Sequence, residues 1–225
     1  MTIFLWAYFV AALMYACKGT LVVHELGHYI VLKYIYRDPD CGIIIGDIHG
    51  ELRTEKIIAG VQVKFFSKSE NKKVHGTKGI CYPWNEVYAK PKSWKAKVYA
   101  IAGAGMEFIM ASLLITIGLF IIHAHTTSPW IELITTIVMI ILIFMSILIP
   151  CLKLWTGSNQ AVQLKNNTVK SLTKTAYGQS DRMLLCKNGK ALLILYTLGA
   201  GLVFYLVFVT MIRSLEGVLN FWMFV

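Results

Sequence analysis

Residues 24–28 read His24-Glu25-Leu26-Gly27-His28. In an α-helix, positions i and i+4 lie on one face, so both imidazoles can reach a single zinc ion while Glu25 stands beside them. A glutamate so placed can take a proton from a polarised water and later deliver it to a leaving amine. The pentad is flanked by Leu21-Val22-Val23 and Tyr29-Ile30-Val31-Leu32, which leaves three ionisable groups on an otherwise apolar helix. Such groups are costly inside an apolar span and mark function there. The competing reading makes His24 and His28 interfacial polar groups, with Glu25 paired to Lys33 or Lys97.

The elements that must position these residues are apolar and long. Of 225 residues, 56% are hydrophobic and 15% charged, with a mean hydropathy of +0.60; a soluble domain carries about 25% charged residues. Residues 3–17, 133–152 and 191–212 contain no charge, and residues 98–122 contain only Glu107. About 20 apolar residues span a bilayer. The expected fold is therefore an all-α polytopic membrane protein of about four transmembrane helices, at 3–36, 98–122, 133–152 and 191–212. A soluble enzyme is excluded, and nucleic acid is not an expected partner despite the net charge of +10.

The charge reports topology instead. Of 22 Lys and Arg, 13 fall in 33–97, 7 in 153–190 and none in 123–130. Basic residues collect in cytoplasmic loops, which puts both long loops in the cytoplasm and both termini outside. The chain then divides into a first span with the HExxH pentad (1–36), a cytoplasmic insertion (37–97), two spans (98–152), a cytoplasmic or active-site loop (153–190), and a last span with an apolar tail (191–225). The N-terminus lacks a basic region and a cleavage site, so it reads as a span rather than a removable signal. Five cysteines without a C-x-x-C pair predict neither a disulfide framework nor a zinc ribbon. Within 37–97, glycines separate Ile43-Ile44-Ile45, Ile57-Ile58 and Val61-Gln62-Val63-Lys64-Phe65-Phe66. These β-branched and alternating runs predict a small sheet. An exposed strand edge could hold a peptide extended; a sheet that merely caps the helices is the equal alternative. His49 and His75 read as solvated.

These motifs resemble the site-2 protease family of intramembrane zinc metalloproteases. The first span looks like that family's HExxH helix. Pro91-Lys92-Ser93-Trp94-Lys95-Ala96-Lys97 leading to Ala102-Gly103-Ala104-Gly105-Met106-Glu107 is similar to its basic run and AGPxxN-like element. Leu148-Ile149-Pro150 resembles the end of its NxxP element. The resemblance implies Zn2+ as cofactor, a membrane-spanning or signal-like peptide as substrate, and a multi-pass protein of a bacterial cytoplasmic membrane with its active site toward the cytoplasm. His24 and His28 would bind zinc and Glu25 would act as general base.

The sequence departs from the family at four places. Glu107 stands for an Asn, Ala104 for a Pro, and Ile147 for the Asn of NxxP. No Asp-Gly pair follows Pro150 to supply the third ligand. Asp181, in Gln179-Ser180-Asp181-Arg182, is the preferred third ligand because zinc favours carboxylate oxygen over an amide. Asn159 is the alternative, and Glu107 the next, its depth along its span being close to that of His24 at about 1.5 Å per residue. Lys18 reads as snorkelling or paired. The alternative function is a catalytically silent relative that binds membrane peptides as a partner or maturation factor.

Overall fold

The structure is a computed structural model that describes residues 2–46, 51–67, 79–82, 93–124, 129–156 and 190–223. Asn159, Asp181, His49, His75 and most of the loop 153–190 lie outside the described residues. Helices dominate: α1 (Thr2–Met14), α2 (Thr20–Ile30), α3 (Trp94–Ala124), α4 (Pro129–Ile143), α5 (Ile149–Thr156) and α6 (Lys190–Met223). Among the described residues three stretches are long and apolar enough to cross a membrane: Trp94–His123, Trp130–Leu152 and Lys190–Gly217.

The expected first span is broken rather than straight. Ile3–Cys17 and Thr20–Tyr36 pass as one crossing only as a bent pair. A π-helical turn, Tyr15–Gly19, separates α1 from α2, and a second, Val31–Tyr36, follows α2. The HExxH pentad thus sits on a short α-helix with a wide turn at either end. The chain leaves the second turn through Arg37 in the left-handed region (φ 60°), and Asp40 N–H donates to Asp38 Oδ1 at 2.8 Å, closing a local turn. A third π turn, Phe144–Leu148, joins α4 to α5. Pro150 has no N–H, and its ring crowds the carbonyl four residues back, at Ser146; a wide turn there relieves the clash, so the helix runs past Pro150 to Thr156. The last helix also continues beyond its expected end, through Arg213 to Met223.

Helix starts follow local chemistry. Ser93 Oγ accepts from the backbone N–H of Ala96 at 3.1 Å, an N-cap that opens α3. Pro129 opens α4, at the one position where its missing N–H costs nothing.

The insertion forms a four-stranded sheet of β1 (Gly42–Ile45), β2 (Leu52–Ile58), β3 (Val61–Phe66) and β4 (Gly79–Tyr82), in the order β2-β3-β1-β4. The β2–β3 and β1–β4 pairs are antiparallel, and β1 is parallel to β3. Ala59 and Gly60 turn the β2–β3 hairpin with positive φ (49° and 78°), as a tight hairpin turn requires.

The chain divides into two compact units. The sheet-bearing unit comprises Leu21–Met106 and Leu152–Ile194; the helical unit comprises Met1–Thr20, Glu107–Cys151 and Leu195–Val225. In the sheet-bearing unit Leu32, Ile43, Val63, Cys81, Ala96 and Ala100 are buried. In the helical unit three helices meet at Gly118, where a Cβ would lie 2.5 Å from Tyr8 Oη of α1 and 3.0 Å from Met139 Sδ of α4. Ser214 of α6 donates to Glu132 Oε1 at 3.0 Å and lies 3.2 Å from Thr136 Oγ1, tying α6 to α4. The outward faces of this unit, including Ile134, Ile137, Leu195, Leu198 and Leu202, are apolar and exposed, a surface suited to lipid rather than water.

Candidate metal centre

α2 places His24, Glu25 and His28 within a little more than one turn, all in the sheet-bearing unit. Glu25 and His28 are buried and His24 is half-buried. The two imidazoles converge, with His24 Nε2 and His28 Nε2 3.2 Å apart and the rings nearly perpendicular at 78°. Two nitrogens each about 2.0–2.1 Å from a tetrahedral zinc would be about 3.3–3.4 Å apart. The observed separation therefore fits two ligands of one zinc.

The tautomer of His28 is set by its other nitrogen. Nδ1 lies 2.8 Å from the backbone carbonyl of Tyr99. A carbonyl only accepts, so Nδ1 carries the hydrogen and the Nε2 of a neutral ring presents its lone pair toward His24. Metal-binding histidines commonly have this outer hydrogen bond. The ring also stacks on that of Tyr99, with centroids 4.4 Å apart and planes 28° apart.

Two glycines let α2 and α3 approach closely enough to build this arrangement. A Cβ on Gly27 would lie 2.2 Å from the Ala102 carbonyl oxygen, so that glycine admits the backbone of α3. A Cβ on Gly103 would lie 2.6 Å from His24 Nε2 and 2.6 Å from His28 Nε2. Gly103 thus leaves room beside both Nε2 atoms. A methyl group there would fill it.

The sheet meets α2 at the same level. Cys81 of β4, fully buried, donates its Sγ–H to the backbone carbonyl of Glu25 at 2.8 Å. Burial pushes the Cys81 thiol well above its ordinary value, with the nearby Glu25 carboxylate adding to the effect. Cys41 is also raised, chiefly by burial. Cys17, Cys41, Cys81 and Cys151 are free.

Among the described residues no third His, Cys, Asp or Glu joins the pair. Asp181 and Asn159 lie outside them. Glu107 is buried but belongs to the helical unit, one turn beyond Gly103 along α3. Lys33 Nζ donates to the Pro39 carbonyl at 3.4 Å. Sequence reasoning found the two imidazoles and the glutamate but not Tyr99 or Cys81. The hydrogen bond from His28 uses a Tyr99 carbonyl that any residue would offer, and the ring stacking depends on a contact 71 residues away in sequence, so neither left a local signal. Gly103 was visible only as part of a small-residue cluster.

No protein-family model, curated protein or solved structure matches the chain.

Proposed function

We propose that this protein is a zinc-dependent intramembrane endopeptidase of the site-2 protease kind, cutting a membrane-spanning or signal-like peptide. The observation that carries the reading is the convergence of His24 Nε2 and His28 Nε2 at 3.2 Å over Gly103, with the Nδ1 of His28 already committed to Tyr99. His24 and His28 would hold the ion, with Asp181 as the third protein ligand. When bound, zinc supplies Lewis acidity toward water and the scissile carbonyl.

The other steps belong to the chain's own residues. Glu25, next to His24 and buried, accepts the proton of the attacking water on a carboxylate oxygen and returns it to the leaving nitrogen. Its acid and base roles follow one another within a single turnover. Tyr99 orients His28, Gly103 keeps the ligand-facing space open, and the Cys81 thiol ties β4 to the helix that carries Glu25. Burial of Glu25 and His28 strengthens each of these interactions.

The three long apolar helices support a substrate within the bilayer, and the basic loops support an active site toward the cytoplasm. A catalytically silent relative that binds membrane peptides is the second reading, favoured by a described ligand set of two rather than three. Cleavage of a membrane-spanning model peptide by the purified protein, and its loss in Glu25→Gln with zinc retained, supports the enzyme. Zinc-loaded protein whose cleavage survives in Glu25→Gln rules out the mechanism.

A further inference from the structure

The sheet-bearing unit ends in an apolar point that the metal centre does not use. Strand β2, Leu52–Ile58, is exposed along its whole length. As the first strand in the order β2-β3-β1-β4 it has a neighbour, β3, on one side only. Its last two residues, Ile57 and Ile58, are 78% and 50% exposed, and the chain then turns through Ala59 and Gly60 into β3. Successive strand residues point to opposite faces. The hairpin therefore ends in a wedge that is apolar on both sides, Ile57 on one face and Ile58 on the other.

The stem of this wedge is basic. Residues 52–66 hold Arg53, Lys56 and Lys64 against a single carboxylate, Glu55. Glu55 accepts from Gln62 Nε2 and stands opposite Lys64 in the register, which leaves the exposed Arg53 and Lys56 as the excess charge. At the other edge of the sheet, Cys81 of β4 holds it to α2 at Glu25, within the bent pair that passes as one crossing. The hairpin thus hangs from a helix with the composition of a membrane span.

A flat protein surface would cover one side of such a wedge, whereas a fluid that surrounds the tip covers both. Two isoleucines also fall far short of the area of a stable protein interface. Acyl chains suit the isoleucines, and the stem of Lys56 can lie along them with its ammonium among phosphates. The basic excess of the insertion puts it on the cytoplasmic side, where the leaflet is anionic. We propose that the β2–β3 hairpin tip, Ile57-Ile58-Ala59-Gly60, is an interfacial anchor that inserts between anionic lipids, with Lys56 on their headgroups. The anchor rests on the bilayer-spanning reading of the helices and not on the metalloprotease reading.

The test uses the full-length protein in vesicles of equimolar phosphatidylglycerol and phosphatidylcholine. The photoreactive residue p-benzoylphenylalanine replaces Ile57, Ile58, Leu52 or Leu198 in turn, and the adducts formed on illumination are identified by mass spectrometry. All four sites are exposed, so the replacements leave the core intact. Leu52 lies at the far end of the same strand, about 20 Å from Ile58 at about 3.3 Å per residue. Lipid adducts at 57 and 58 are expected in at least threefold the yield at 52. Adding Lys56→Gln should lower the yield at 57 about fivefold, the weight of one lysine near an anionic surface, with no fall in vesicles of phosphatidylcholine alone. Equal lipid yields at 52 and 57, adducts at 57 that join two copies of the chain, or a yield indifferent to Lys56→Gln would each overturn the anchor. Lipid adducts at 198 without any at 57 would overturn the anchor and keep the spanning helices; none at either site would overturn both.

Discussion

The two units treat their buried polar groups in opposite ways. Around His24 and His28 the protein supplies its own partners: the Tyr99 carbonyl takes the His28 Nδ1 hydrogen, and the Cys81 thiol reaches the Glu25 carbonyl. What is left facing Gly103 is a pair of imidazole nitrogens. In the helical unit hydroxyls are left over instead: Tyr8 Oη and Tyr196 Oη are buried without a hydrogen-bond partner among the described residues. A site whose outer hydrogen bonds are fixed by protein atoms is shaped for one ligand geometry. The difference marks the surroundings of His24 and His28 as the place where a ligand of fixed geometry would fit.

Predictions that break or sharpen this contrast fall in order of size. Glu25→Gln keeps the shape of the HExxH site and removes its proton acceptor, so cleavage of a membrane-spanning peptide should drop about 10²–10⁴-fold with zinc content unchanged. Asp181→Ala should lower zinc affinity by more than the roughly 100-fold that an outer-shell change costs, and Asn159→Ala by less. The reverse order, read by competition with a zinc chelator, would move the third ligand to Asn159, and no effect from either would make Glu107 the next candidate. Gly103→Ala places a methyl 2.6 Å from both Nε2 atoms and should weaken zinc binding about 100-fold; native affinity there would mean that the space above Gly103 is not the metal's. Smallest is Thr136→Val, which removes one interhelical hydroxyl contact with Ser214. Such contacts contribute about 0.6 kcal/mol in membranes, so thermal unfolding should shift by about 2 °C without altering zinc content.

What the sequence disclosed depended on whether a feature is encoded in residue type. The i, i+4 spacing of His24 and His28 placed both rings on one face, and the β-branched runs located β1 and β3. Strand β4 went unseen because Gly79-Ile80-Cys81-Tyr82 is short and has no clear alternation; its place comes from pairing with β1. The break in the first span was also hidden. The π turn Tyr15–Gly19 demands no particular residue, so residues 3–36 read as a single span. Pro150 marked its own turn more openly, but the helix continued where an end was expected. Asp181 followed from a likeness rather than from local pattern, and it lies outside the described residues.

The central claim is that His24 and His28 are two ligands of one zinc. Its most direct test is the metal content, by atomic emission, of protein purified under zinc-replete conditions, alongside a His24→Ala/His28→Ala variant shown by circular dichroism to keep its helices. About one zinc per chain is expected in the first and close to none in the second. Equal zinc in both proteins, or none in either, would contradict the claim and leave the 3.2 Å approach of the two rings as an ordinary hydrogen bond.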